Sequence, residues 1–270
     1  MRIAISSDNH FDVNKVDADV AMLRQADFLR AHDYDYYLNA GDTFNDFRKT
    51  QAFYMGLQRV LGDDCQVRYI AGNHDMIRGV DYTTLQTMRD PLYLHRTSER
   101  LPGTDWQLIG NNGWYDYSFA APGLSAEEIL HWKKAYWVDA VIDQPQSDVQ
   151  RMDAELAILK HQLDAADGRP VLLLTHFVPD AQFLDPKMLQ NEIGGKAAAM
   201  LGSQRLGDLL SEYRNVTAAF GHLHRRDLPQ VIDGVQYLHS PVGYGTKRHH
   251  EWVSDDFMTE WTSSLQTIEI

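Results

Sequence analysis

Five short apolar runs, each closing on a small cluster of Asp, Asn or His, constrain this chain more than any other feature of its sequence. Residues 3–7 lead into Asp8-Asn9-His10, residues 34–40 into Gly41-Asp42, and residues 66–71 into Gly72-Asn73-His74-Asp75. Residues 170–174 lead into Thr175-His176, and residues 216–220 into Gly221-His222-Leu223-His224. Short apolar runs bounded by turn formers fit buried strands in a sheet covered on both faces. Helical patterns lie between them. Residues 16–32 place Val20, Leu23, Ala26, Phe28 and Leu29 on one stripe, and residues 151–166 do the same with Met152, Leu156, Leu159 and Leu163. Gly168-Arg169-Pro170 stops the second helix, and residues 206–213 give a shorter third. Alternating strands and helices indicate an α/β fold with parallel pairing. Residues 230–238 and 265–270 look like strands without a helix between them, so a second, mostly antiparallel sheet is expected there. With no internal repeat or low-complexity linker, residues 1–270 are expected to form one domain.

Residues 113–148 break the pattern. Their first part is rich in rings, with Trp114, Tyr115, Tyr117, Phe119, Trp132, Tyr136 and Trp137, and reads as a loop followed by a short helix. It is either a cap whose rings fill the main core or a lid that walls a substrate pocket.

Open α/β sheets bind ligands beyond the carboxyl ends of their strands. Here five such ends deliver Asp8 and His10, Asp42, Asn73 and His74, His176, and His222 and His224. Imidazole, carboxylate and amide oxygen are the donors that hold Zn, Mn or Fe. An Asp-x-His triplet alone reads as a helix cap beside a surface histidine, and Gly-Asp after a strand as a turn. It is their recurrence at successive strand ends that points to metal.

Charge and cysteine content narrow the field. The formal net charge of −13 disfavours a surface that grips a nucleic-acid backbone, although a metal centre would still create a locally positive pocket. Cys65 is the sole cysteine, which rules out an intrachain disulfide and a thiolate cage. The apolar start is too short for a signal peptide or span, so a cytoplasmic protein without membrane contact is expected.

The series Asp-x-His, Gly-Asp-x-x-Asn, Gly-Asn-His-Asp, His176 and Gly-His-x-His resembles that of the calcineurin-like metallophosphoesterase family, from residue 8 to residue 224. The resemblance implies an αββα four-layer sandwich, with two mixed β-sheets flanked by helices and the aromatic-rich insert added. It further implies two divalent ions. Asp8, His10, Asp42 and His224 would hold the first; Asp42 would bridge to the second, completed by Asn73, His176 and His222. A metal-bridging hydroxide would attack phosphorus in line, with His74 as the acid or electrostatic partner at the leaving group. Mn, Fe or Zn suits such a donor set better than Ca. The expected substrate is a small phosphate ester, and the expected enzyme a phosphatase or phosphodiesterase. The alternatives are a nuclease on the same site, disfavoured by charge, and a non-catalytic binding scaffold of the same fold.

One departure from the family's protein Ser/Thr phosphatases stands out. Where they carry an aspartate paired with the histidine at position 74, this chain has Asn45. An amide orients an imidazole but stabilises its cation less than a carboxylate does. Substrate contacts are expected from Tyr115, in a Trp114–Ser118 stretch that looks like a feature of some bacterial phosphoesterases, and from Lys247 and Arg248.

Overall fold

The computed structural model describes residues 1–270, with ten strands arranged in two mixed sheets. The strands are β1 (Arg2–Ser6), β2 (Tyr36–Asn39), β3 (Gln66–Tyr69), β4 (Thr97–Arg100), β5 (Gln107–Gly110), β6 (Val171–Leu174), β7 (Val216–Phe220), β8 (Gln230–Ile232), β9 (Val235–His239) and β10 (Gln266–Glu269). The smaller sheet runs β10-β1-β2-β3, and the larger runs β4-β5-β6-β7-β9-β8. Pairing is parallel from β1 through β3, from β5 through β7, and between β7 and β9. Only the edges β10, β4 and β8 are antiparallel to their neighbours.

Strand alternation builds the layers. Ile3, Ile5, Leu38, Leu172, Leu174, Ala219 and Leu238 point between the two sheets and form one apolar cluster. Their sequence neighbours Ala4, Tyr37, Leu173, Ala218 and Tyr237 point outward into a larger cluster that the helices complete. On the smaller sheet this covering includes Ala18–Ala31 and Phe47–Leu61; on the larger it includes Asp148–Ala166 and Gln204–Ser211. The result is the four-layer helix–sheet–sheet–helix sandwich.

The expected separate antiparallel sheet does not form. Strand β10 instead caps the edge of β1, and residues 230–238 fold as a hairpin whose second strand extends the larger sheet in parallel with β7. Asp233 and Gly234, both at positive φ, make the hairpin turn that splits the run. No helix is long and apolar enough to cross a membrane.

Residues 113–148 divide in two. Trp114 and Tyr115 are fully buried against Phe177, and Trp114 lies under the Arg151 guanidinium, 3.5 Å from the ring centroid. This half packs into the core. The helix Ala126–Tyr136 and the 3-10 turn Val138–Val141 follow, and their junction walls the cavity described below. Asp148 fastens the segment: it accepts hydrogen bonds from Trp114 Nε1 (2.8 Å), Lys133 Nζ (2.7 Å), Gln144 Nε2 (2.7 Å) and the Tyr117 hydroxyl.

Candidate metal centre

All the parallel strand ends that carry Asp, Asn or His open toward one place. Gly41 and Gly72 let the loops after β2 and β3 meet there. A Cβ on Gly41, whose φ is +95°, would come within 2.5 Å of Gly72 N, and one on Gly72 within 2.1 Å of Asp42 Oδ1. The turns are also held under strain. Asp8, His10, Asp42 and His222 all have positive φ, at 57°, 46°, 61° and 71°, a conformation that disfavours a non-glycine residue by roughly 1–2 kcal/mol. Asp75 offsets part of this. Buried completely, its carboxylate accepts the backbone N–H groups of Asp42 (2.7 Å), Thr43 (3.0 Å), Phe44 (3.0 Å) and Gly72 (2.9 Å).

The side chains converge in three groups, each with its donor atoms within 4.8 Å of one another. They are Asp8, His10 and His224; Asp42, His176 and His222; and, sharing a residue with each of these, His10, Asp42 and His74. Asp42 Oδ2 stands between the groups, 3.7 Å from His10 Nε2 and 3.4 Å from His176 Nε2. Asn73 Oδ1 joins the second group, 3.1 Å from His176 Nε2. The seven residues expected as ligands are thus brought together, with Asp42 at the shared position.

Hydrogen bonds on the far side of the rings fix which nitrogens face inward. His176 Nδ1 donates to Ala40 O (2.7 Å), and His224 Nδ1 pairs with Glu251 Oε2 (2.9 Å), leaving both Nε2 atoms aimed at the cluster. Asn73 Nδ2 donates to Asp139 Oδ1 (2.7 Å), which turns its amide oxygen inward. The backbone N–H of His74 donates to Asp42 Oδ1 (2.8 Å), and that of His222 to Asp8 Oδ1 (3.1 Å).

The electrostatics of this arrangement fit metal ions. His10 Nε2 lies 3.0 Å from His224 Nε2, and His222 Nδ1 lies 3.2 Å from His176 Nε2. Two bare lone pairs at such distances repel unless a proton or a cation lies between them. Burial depresses His176, but Asp42 more than reverses this and raises it to about 9. Burial acts likewise on His224, which Asp8 and Glu251 raise to about 10. Burial pushes Asp8 up, yet His224 and His176 together outweigh that and hold it at about 2. Burial and neighbouring imidazoles meanwhile take His222 down to about 3 and His10 well below its usual value. The carboxylates therefore attract positive charge at two points while two imidazoles keep free lone pairs. Two cations would satisfy both demands.

Beside the cluster lies a cavity of about 350 Å³. Asp42, Asn73, His74, His222 and His224 form its floor, and Tyr136, Trp137, Val138, Leu201 and Tyr244 its walls. His74 faces it with Nδ1 bonded to Asn45 Oδ1 at 2.8 Å, and Tyr244 Oη lies 3.3 Å from His74 Nε2. The Tyr244 ring also packs on His10 and His224, with centroids 4.6 and 4.4 Å apart.

Three residues expected to contact substrate lie outside this cavity. Tyr115 is fully buried in the core and does not reach the cavity, because its ring stacks on Trp114. Lys247 and Arg248 are exposed on the loop after β9 and do not line the cavity either. In that loop it is Tyr244 that turns toward the ligands. Tyr244, Glu251 and Asp139 are the site residues that sequence reasoning missed. None belongs to the motif series, and only the ring-rich composition around Asp139 hinted at its neighbourhood.

Fold and site together define a metal-dependent hydrolase of the α/β sandwich class. The chain belongs to the calcineurin-like phosphoesterase family, whose model matches residues 1–226. That family is binuclear and metal-dependent. Among solved structures, the phosphopantetheinyl hydrolase from Mycobacterium tuberculosis is similar with a TM-score of 0.66 at 18% identity, over 98% of this chain and 95% of that one. A dimetal phosphatase from Danio rerio is similar with a TM-score of 0.50 at 12% identity, over 88% of this chain and 86% of that one. At these identities the likeness concerns the fold alone. No curated protein matches the sequence.

Proposed function

We propose that this enzyme hydrolyses small phosphate esters at a two-metal centre held by Asp8, His10, Asp42 and His224 on one side and by Asp42, Asn73, His176 and His222 on the other. The observation that carries the reading is Asp42 Oδ2, which stands within 3.7 Å of His10 Nε2 and 3.4 Å of His176 Nε2, where one carboxylate serves both ligand groups. Divalent ions bound there, with Mn, Fe or Zn suiting the donors, would activate a water and neutralise charge on the phosphoryl oxygens.

The protein's own part follows from the surrounding contacts. The backbone N–H of His74 steadies Asp42, and Glu251 and Ala40 fix the rings of His224 and His176. His74 reaches the cavity through Nε2, so a proton held there passes to the ester oxygen as the P–O bond breaks. Asn45 sets the orientation of that ring, and Tyr244 meets the same nitrogen. Trp137, Val138 and Leu201 supply an apolar wall that keeps water away from the departing group.

A nuclease is the weaker reading, since no Lys or Arg lines the cavity and the net charge is −13. The test is p-nitrophenol release from phosphate esters. It should vanish on chelation and return with Mn²⁺; activity indifferent to chelation, or none after reconstitution, would refute the proposal.

A further inference from the structure

The cavity is built with an imbalance of charge. Five carboxylates lie in or directly against the ligand cluster: Asp8 and Asp42 within it, Asp75 on the Asp42 backbone, Asp139 on Asn73 and Glu251 on His224. No Lys or Arg lines the cavity. The nearby Arg225 is occupied by Asp227 and the Phe183 carbonyl, and Lys247 and Arg248 are exposed outside it. A phosphomonoester is largely a dianion at neutral pH, its second ionisation falling near pH ~6, and proteins meet such groups with Arg or Lys. A diester carries a single negative charge and needs no cation beyond the metal ions.

The rest of the lining is largely apolar. Tyr136, Trp137, Val138 and Leu201 line the cavity together with the metal ligands. Trp137 is fixed rather than loose: its Nε1–H donates to Asp139 Oδ2 at 3.0 Å, and Asp139 Oδ1 holds Asn73 at 2.7 Å. Wall and second ligand group therefore form one hydrogen-bonded unit, which sets an indole at a defined position in the cavity.

Building on the phosphoesterase reading, we propose that the cavity takes a phosphodiester, with one substituent apolar or aromatic and resting on Trp137. The charge count disfavours a second phosphoryl negative charge, and Trp137, Val138 and Leu201 supply an apolar surface for the ester substituent.

Three esters with the same leaving group separate the two claims: p-nitrophenyl phosphate, methyl p-nitrophenyl phosphate and bis-p-nitrophenyl phosphate, each assayed on Mn²⁺-loaded protein of measured metal content. The methyl diester should exceed the monoester in kcat/KM by at least ~10-fold, and the second ring should lower KM by a further ~10-fold. Trp137→Ala should erase the gain from the second ring, and Trp137→Phe should keep most of it. Val138→Lys, at a position 40% exposed, should shift preference toward the monoester by ~10-fold. Diphenyl phosphate should quench tryptophan fluorescence in the parent protein and not in Trp137→Phe, a readout independent of turnover. A parent that prefers the monoester, or a second-ring gain that survives Trp137→Ala, overturns the proposal while leaving a phosphoesterase. Full metal loading with none of the three esters cleaved overturns the phosphoesterase reading itself.

Discussion

His74 Nδ1 lies 2.8 Å from Asn45 Oδ1, so the imidazole that faces the cavity is oriented by an amide and not by a carboxylate. An amide accepts the N–H but adds no charge to stabilise the imidazolium. Proton transfer from His74 should then contribute less to bond cleavage, and esters with good leaving groups should be favoured. In Asn45→Asp the ratio of rates for aryl over alkyl phosphate esters should fall, because a carboxylate partner favours the protonated ring that assists the poorer leaving group. An unchanged ratio would remove Asn45 from this role. His74→Ala should keep its metals and lose about 10²-fold in turnover, as for removal of one acid–base group.

Asp139 joins the insert to the second ligand group through Asn73. Loss of an outer partner of this kind commonly reduces metal affinity by about 10–100-fold. Asp139→Ala should therefore weaken one of the two metals and spare the other, measured as bound metal per chain against free Mn²⁺. Unaltered binding of both would mean that Asn73 needs no such support.

The motif ends were legible because each ligand follows a strand directly, so that local sequence carries both the strand and its terminal donor. Asp8, Asp42, Asn73, His176 and His222 are of this kind. Tyr244, Glu251 and Asp139 were not legible, since they reach the site from loops whose path depends on the tertiary fold. Strand β4 was hidden for another reason: Thr97–Arg100 alternates between half-buried and exposed at a sheet edge and includes Glu99 and Arg100, so it has no apolar run. The helix Phe47–Leu61 did carry a signal, as Phe47, Thr50, Tyr54, Leu57 and Leu61 form its buried stripe. The arrangement of β10 against β1 depends on long-range pairing that no local pattern encodes.

Asp148 pairs with Lys133 at 2.7 Å, and both are nearly buried. Removing one partner of a buried pair typically destabilises by about 3–5 kcal/mol, so Asp148→Asn should lower the unfolding free energy by an amount of that order in denaturant titration. Burial raises this carboxyl, but Lys133 outweighs burial and leaves it below the ordinary aspartate value of 3.8. A lowered folded-state value means that the ion pair's contribution is fully present above that pH and is lost as pH falls through the lower value. The stability gap between parent and Asp148→Asn should accordingly be constant from about pH 5 to 7, above the unfolded aspartate value of ~3.9, and narrow in stronger acid. A gap that widened on acidification would contradict the assignment.

The central claim is that one carboxylate, Asp42, serves two metal ions in a hydrolytic site. Metal content and ester turnover measured together on the parent protein and on Asp42→Asn test it most directly. Two divalent ions per chain are expected in the reconstituted parent, and in Asp42→Asn a loss of bound metal together with turnover. An Asp42→Asn protein that keeps both ions and hydrolyses phosphate esters at the parent rate would contradict it.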